Sequence, residues 1–386
     1  MESTGVYWIP LFEVLDERGL EVLLVNARHV KNVSGRKTDV LDCQWLQQLH
    51  TFGLLSGAFR PPEQVCALRS YMRQRQTLTA NCASHIQHMQ KALRQMNLLL
   101  DNVVSDVAGV TGLRIIRAIV DGERDGKQLA TYRDGRCKRS EEEIAQSLQG
   151  HYRDEHVFSL TQALELFDIY QDKIAACDEA IERQLGQFED WADAAAYEPN
   201  PSNRKYRNGL NFDVGQSLFR ITGVDVTRIG GVCEMTALKV LSETGIDMSP
   251  WKSSKHFCSW LALSPGSKIS GGKVLSSKTV SSANRAAAAF RMAAYAVSNS
   301  RCALGAFYRR MRSRLGAPKA ITATAHKIAR LFYSMLKNGT EYVDQGQDYY
   351  EEKYKERTLN NLRKRAASMG YTLTERTDDL PLPSMV

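Results

Sequence analysis

Between Met248 and Thr340 the sequence contains no aspartate and no glutamate. Those 93 residues hold 16 of the chain's 51 lysines and arginines, which leaves 35 basic against 43 acidic residues elsewhere. The net charge of +8 therefore joins a concentrated cation to a mild anion. A solvated basic face ordinarily keeps acidic neighbours for pairing, so their absence over this length points to a polyanionic partner, and first of all to nucleic acid. Other absences exclude whole classes. No run of 18 apolar residues occurs, which excludes a membrane-spanning helix. The opening Met1-Glu2-Ser3-Thr4-Gly5 lacks the basic and apolar regions of a secretion signal. The eight cysteines stand singly with no Cys-x-x-Cys pair, so neither a zinc site nor a disulfide framework is expected, and a reducing cytoplasm is. His85 and His88 have no third ligand in reach along the sequence and read as packing residues.

Of what is present, Gly35-Arg36-Lys37-Thr38-Asp39-Val40-Leu41-Asp42-Cys43-Gln44-Trp45 is the most informative. Leu41, Trp45, Leu46, Leu49 and Phe52 follow helical spacing, which predicts a helix from about Thr38. Asp39 and Asp42 then share one face, one turn apart. Two hard oxygen donors so placed suit a Mg²⁺ ion that also touches substrate phosphates. The same residues also suit a helix start, where acids complement the dipole. On these residues alone both readings stay open.

The remainder of residues 1–62 reads as α/β. Trp8, Leu11, Phe12 and Leu15 form a helical stripe that ends at Gly19, and Glu21 to Val25 reads as a short strand. From Glu63 to about Leu100 runs a helix without Gly or Pro, carrying Arg69 and Arg73, either an arm for a phosphate backbone or a solvent-exposed bundle helix. The segment Val107 to Leu113 reads as a tight turn into an apolar helix. Residues 140–192 are acidic, with Leu160, Leu164, Phe167, Ile174, Cys177, Ile181 and Leu185 at three-and-four spacing. That pattern fits a coiled-coil or bundle helix and a homo-oligomer, dimer or tetramer. The expected divisions are 1–62, a helical region 63–196, a linker 197–214, a mostly helical domain 215–345 and a terminal helix and tail 346–386. The fourth opens with Ile221-Thr222-Gly223-Val224-Asp225 and Gly230-Gly231, similar to a helix-hairpin-helix that offers backbone amides to DNA.

Within the acid-free stretch, Ser264-Pro265-Gly266-Ser267-Lys268-Ile269-Ser270-Gly271-Gly272-Lys273 reads as a flexible basic loop. It is not a nucleotide-binding phosphate loop, because Ser267 and Val274 occupy positions that pattern reserves for Gly and for Ser or Thr. A serine hydroxyl is a weak nucleophile unless activated. Lys268 and Lys273 flank Ser270 and would place positive charge beside a phosphodiester transition state. An alanine-rich helix is expected from Asn284 to Val297, with Arg285 at its start, and Arg309, Arg310, Arg312 and Arg314 cluster beyond it.

Met1-Glu2-Ser3-Thr4-Gly5-Val6-Tyr7-Trp8, Val25-Asn26-Ala27-Arg28-His29-Val30-Lys31-Asn32 and the segment from Gly35 to Asp42, in that order, closely resemble the DEDD-type transposases of bacterial insertion sequences. The family is insertion sequence 110, of bridge-RNA-guided recombinases. The likeness continues through Ser270-Gly271-Gly272-Lys273. It implies a RuvC-like (RNase H-like) first domain, a coiled-coil insertion and a C-terminal transposase domain, in a bacterial, nucleoid-associated protein. It implies that Glu2, Asp39 and Asp42 bind Mg²⁺ as the second to fourth of four carboxylates, and that Ser270 attacks DNA at the element ends and target. Lys37, Arg69, Arg73, Lys268, Lys273, Arg285, Arg309, Arg310 and Arg312 are the expected nucleic-acid contacts, and a guide RNA is an expected partner. The first carboxylate of the family lies on a strand before Glu2. The chain as written is therefore expected to lack it and the central strands, and to be inactive or nearly so. A RuvC-like metal-dependent nuclease and a non-catalytic nucleic-acid binder are the alternatives.

Overall fold

The computed structural model describes residues 1–27, 39–199 and 208–374. Lys37 and the turn from Gly35 to Thr38 lie outside the described residues, as does the middle of the expected linker, at 200–207. Among the described residues the fold is mostly helical with one small sheet. Two compact units divide it, Met1–Pro62 and Glu63–Val386.

The first unit contains α1 (Trp8–Glu17) and α2 (Asp39–Thr51). The stripe on α1 is only partly used: Phe12 is buried and Leu11 is exposed. Arg60 caps the Phe12 ring at 4.3 Å and pairs with Glu13 at 3.6 Å. The strand expected from Glu21 to Val25 reduces to single bridges. Val25 pairs parallel with Glu2 and antiparallel with Gly57, while residues 21–24 belong to no ladder. An apolar run supplies β propensity, but a strand needs a continuous neighbour for its N–H and C=O groups, and here that is limited to one or two residues on each side.

The second unit begins with α3 (Glu63–Gln95), followed by α4 (Leu100–Val103), α5 (Val110–Val120), α6 (Gly126–Ala130), α7 (Glu141–Ser147) and α8 (Asp154–Gly186). The two 33-residue helices lie antiparallel: Gln64 meets Gln184, Arg75 meets Asp178 and Cys82 meets Gln171. Leu160, Leu164 and Phe167 of α8 close over Met89, Leu93 and Ile116, so the helical stripe is a core face. His85 stacks on Tyr170 at 5.2 Å. Ser140 and Glu143 form a reciprocal capping box that starts α7.

Beyond the linker come α9 (Val214–Thr222) and α10 (Glu234–Thr244). They are joined through Gly223, a 3₁₀ turn and Gly230-Gly231. This is the pair read as similar to a helix-hairpin-helix. Its second glycine is needed for packing: φ is +83° at Gly231, and a Cβ there would stand 2.3 Å from the Ala293 carbonyl. Next are α11 (Ser254–Trp260), β1 (Lys268–Ser270), β2 (Lys273–Ser276), α12 (Arg285–Ala296), α13 (Ala303–Leu315), α14 (Ala317–Asn338) and α15 (Gly346–Ser368). Asn284 caps α12 by accepting from the Ala287 N–H, and the small Ala286, Ala287, Ala293 and Ala294 are buried. Phe257, Phe290, Phe332 and Tyr333 make the aromatic centre of this bundle, and the Tyr333 hydroxyl donates to the Trp251 carbonyl at 2.8 Å. No described helix is long and apolar enough to cross a membrane.

Candidate functional site

The segment read as a flexible loop around Ser270 is instead a β-hairpin. β1 and β2 pair antiparallel with Ser270 opposite Lys273, Ile269 opposite Val274 and Lys268 opposite Ser276. Gly271 and Gly272, at φ +54° and +73°, form the two-residue turn. Positive φ at both central positions is the type I′ geometry that matches strand twist, and two glycines adopt it without strain. A further bridge between Pro265 and Thr279 extends the base.

Register decides which side chains share a face, because directly opposed residues project together and successive residues alternate. Lys268, Ser270, Lys273 and Ser276 therefore share one face, and Ile269 and Val274 the other. Leu275 is the extra residue of a bulge between the Lys268 and Ile269 pairs. Ser270 is exposed between two exposed lysines, and a Cβ built at either glycine would meet nothing within 4 Å. A hydroxyl at the tip of an open hairpin, flanked by ammonium groups, can approach a phosphodiester without a pocket to admit it.

The expected carboxylates belong to the first unit. Glu2 is fixed in an extended segment by its bridge to Val25, and its Oε1 accepts a hydrogen bond from the Thr4 hydroxyl at 3.0 Å. α2 starts at Asp39, which puts Asp39 and Asp42 within its first turn and a half, and Asp42 is exposed. Among the described residues no group of three or more His, Cys, Asp or Glu gathers around one point, and the Asp39 side chain is not among those described.

The basic residues divide by what already holds them. Arg69 donates to the Ser242 and Glu243 carbonyls, and Arg73 makes a bidentate pair with the Glu243 carboxylate. Both tie α3 to α10, so α3 acts as an internal strut along this length. Arg309 donates to the Ser298 and Ser300 carbonyls and to Gln347 Oε1. Arg285 donates to Gln76 Oε1 at 2.8 Å. Arg310 lies 3.8 Å over the Tyr354 ring, and Lys327 lies within 5.0 Å of the Phe307 and Tyr350 rings. Burial, and then Arg310 nearby, holds the Lys327 ammonium below the usual lysine range. Lys268, Lys273 and Arg312 are exposed. Among the described residues, none of the 16 lysines and arginines between Met248 and Thr340 forms an ion pair. The pairs that do form involve such residues as Arg69, Arg73, Arg75, Arg94, Arg117, Arg220 and Arg228.

Residues 1–98 match a family model described as a transposase, the DEDD transposase of IS110. Residues 225–309 match a second, described as transposase IS116/IS110/IS902 family. The chain belongs to the IS110 family of transposases. Its first matched segment covers Glu2, Asp39 and Asp42, and its second covers the whole hairpin that carries Ser270. No curated protein matches this transposase by sequence. What the sequence left unread was the hairpin, although Gly-Gly between Lys-Ile-Ser and Lys-Val-Leu-Ser is a hairpin signal.

Proposed function

We propose that the transposase cleaves and rejoins insertion-element DNA with Ser270 as the nucleophile. The observation that carries this reading is the hairpin register, which sets the serine between Lys268 and Lys273 on one open face. In the step, Ser270 Oγ bonds to a backbone phosphorus as the bond from phosphorus to the leaving deoxyribose oxygen breaks. The serine proton is released, and the leaving oxygen takes up a proton. One phosphodiester replaces another, so a DNA hydroxyl can later reverse the exchange and free the serine without a nucleotide cofactor. The two ammonium groups favour the transition state, where negative charge on the phosphoryl oxygens grows.

Glu2, Asp39 and Asp42 offer only hard carboxylate oxygens, a donor set that suits Mg²⁺. When bound, the ion supplies positive charge to substrate phosphates in a RuvC-like first unit. The chain's own part there is to fix Glu2 through the Val25 bridge and to set Asp39 and Asp42 at the start of one helix. The long α3–α8 pair offers a surface for assembly into a dimer or tetramer, and the unpaired cations of the bundle suit both element DNA and a guide RNA.

The test is covalent capture. End-labelled duplex spanning one element end is incubated with the protein, Mg²⁺ and RNA transcribed from the element, then denatured. A labelled adduct with the wild type and none with Ser270→Ala is expected. Cleavage that survives Ser270→Ala without an adduct identifies a metal-dependent nuclease and overturns the serine mechanism.

A further inference from the structure

Helices α13 and α15 enclose a cleft of about 430 Å³ whose charged lining is entirely arginine: Arg310 and Arg314 from α13, Arg357 and Arg365 from α15. The remaining lining is neutral, with Met311, Tyr354, Thr358, Asn361 and Leu362. The placement follows from helical spacing. Arg310 and Arg314 are four residues apart on α13, and Arg357 and Arg365 are eight apart on α15, so each pair projects from one face.

A seam between two helices ordinarily carries apolar contacts or alternating charge. Here four guanidinium groups converge, and among the described residues Arg314, Arg357 and Arg365 have no carboxylate partner, although α15 also carries Asp348, Glu351, Glu352 and Glu356. Only Arg310 is compensated, by ring faces, at 3.8 Å from Tyr354 and 5.2 Å from Tyr350. Its Nε and the Tyr350 hydroxyl are buried without a hydrogen-bond partner. The aromatic stack thus fastens α15 to α13 while leaving the cationic cleft beside it unneutralised. Four like charges held together repel one another unless an anion enters. Planar guanidinium groups bind phosphate oxygens two at a time, which makes a phosphate-bearing polymer the fitting anion.

We infer that the α13–α15 cleft is a binding site for a nucleic-acid phosphodiester backbone, separate from the Ser270 hairpin and contributed in half by the C-terminal helix. All four arginines lie outside both segments matched by the family models, which end at residues 98 and 309. The inference rests on the nucleic-acid partner of the proposed function but not on its chemistry.

The test uses the full chain and three proteins: wild type, the triple variant Arg314→Gln, Arg357→Gln, Arg365→Gln, and a control, Arg136→Gln, Lys138→Gln, Arg139→Gln, which removes the same charge from exposed residues elsewhere. Arg310 is left in place because it holds α15. Fluorescence anisotropy measures affinity for a 30-base-pair DNA duplex and for a structured RNA, from about 50 to 200 mM salt. Three lost contacts should flatten the salt slope of log affinity by roughly 2–3 for duplex DNA or about 2 for single strands. The control should stay near the wild type, with equal melting temperatures for all three. A flattened slope with DNA alone, RNA alone or both supports the site and names its source. A triple variant indistinguishable from the control overturns it while leaving the serine chemistry standing. A wild type that binds neither polymer overturns the inference and the nucleic-acid reading beneath it.

Discussion

The α3–α8 pair and the α11–α14 bundle treat their cations in opposite ways. Along α3 and α8 the arginines meet carboxylates or carbonyls. Arg75 is buried against Asp178 and also donates to the Asn208 and Gly209 carbonyls, Arg94 pairs with Asp101, and Arg69 and Arg73 share Glu243. In the bundle the apolar core is as well formed, around Phe257, Phe290 and Phe332, yet its charged surface has no acidic counterpart of its own. In the first region, charge holds helices together. In the second, aromatic and alanine packing does that work, and the cations the fold does hold, such as Arg285 and Arg309, meet amides and carbonyls rather than carboxylates. A basic residue therefore cannot be assigned to nucleic acid from its identity alone; what matters is whether the fold already supplies its anion.

Breaking the first half of that contrast gives the largest expected effect. Asp178→Ala leaves the Arg75 guanidinium buried without its carboxylate, and removal of one partner of a buried pair costs about 3–5 kcal/mol. Chemical denaturation of the variant should show a loss of that size with an unchanged m-value. A loss below about 1 kcal/mol would mean that solvent reaches the pair and that α3 and α8 are joined by apolar packing alone.

A smaller effect comes from acid. His326 lies on α14 in the acid-free bundle, and burial, followed by the charge of Arg330, lowers its pKa from 6.5. The folded state thus prefers the neutral ring. Above pH 6.5 the ring is neutral folded or unfolded, and nothing is lost. As pH falls through 6.5 the unfolded chain takes up the proton first, so stability declines towards the lowered folded value. The melting temperature should fall between pH 7.5 and 5.5, and His326→Gln should remove part of that dependence. Equal pH dependence in both proteins would remove His326 as a source of the acid sensitivity.

The same contrast explains what could be read from the sequence. Helices with their own signals were legible: α12 from its alanines, α8 from its apolar spacing. The Ser270 hairpin was not, because Ser-Gly-Gly-Lys serves a free loop as well as a type I′ turn, and only pairing with Val274 and Ser276 distinguishes them. The run Glu21 to Val25 promised a strand on local propensity, but the partners at Glu2 and Gly57 reach only Val25. Arg69 and Arg73 were indistinguishable from free cations, since their partner Glu243 lies 170 residues away from Arg73 and on another helix. The acid-free stretch was legible because an absence over 93 residues needs no tertiary information.

The smallest expected effect on stability is also the sharpest test of the bundle's role. Arg312 is exposed on α13 and lies outside the α13–α15 cleft. Surface substitutions away from packing or pairing change stability by about 0.5 kcal/mol or less, so Arg312→Gln should unfold with the wild type. If the residue faces a phosphate, the salt slope of log affinity for duplex DNA should flatten by roughly 0.9. An unchanged slope with unchanged stability would show that Arg312 is merely solvated, and that the nucleic-acid face covers only part of the cationic region. A loss of stability without a change in slope would place Arg312 with Arg309 as a residue the fold requires.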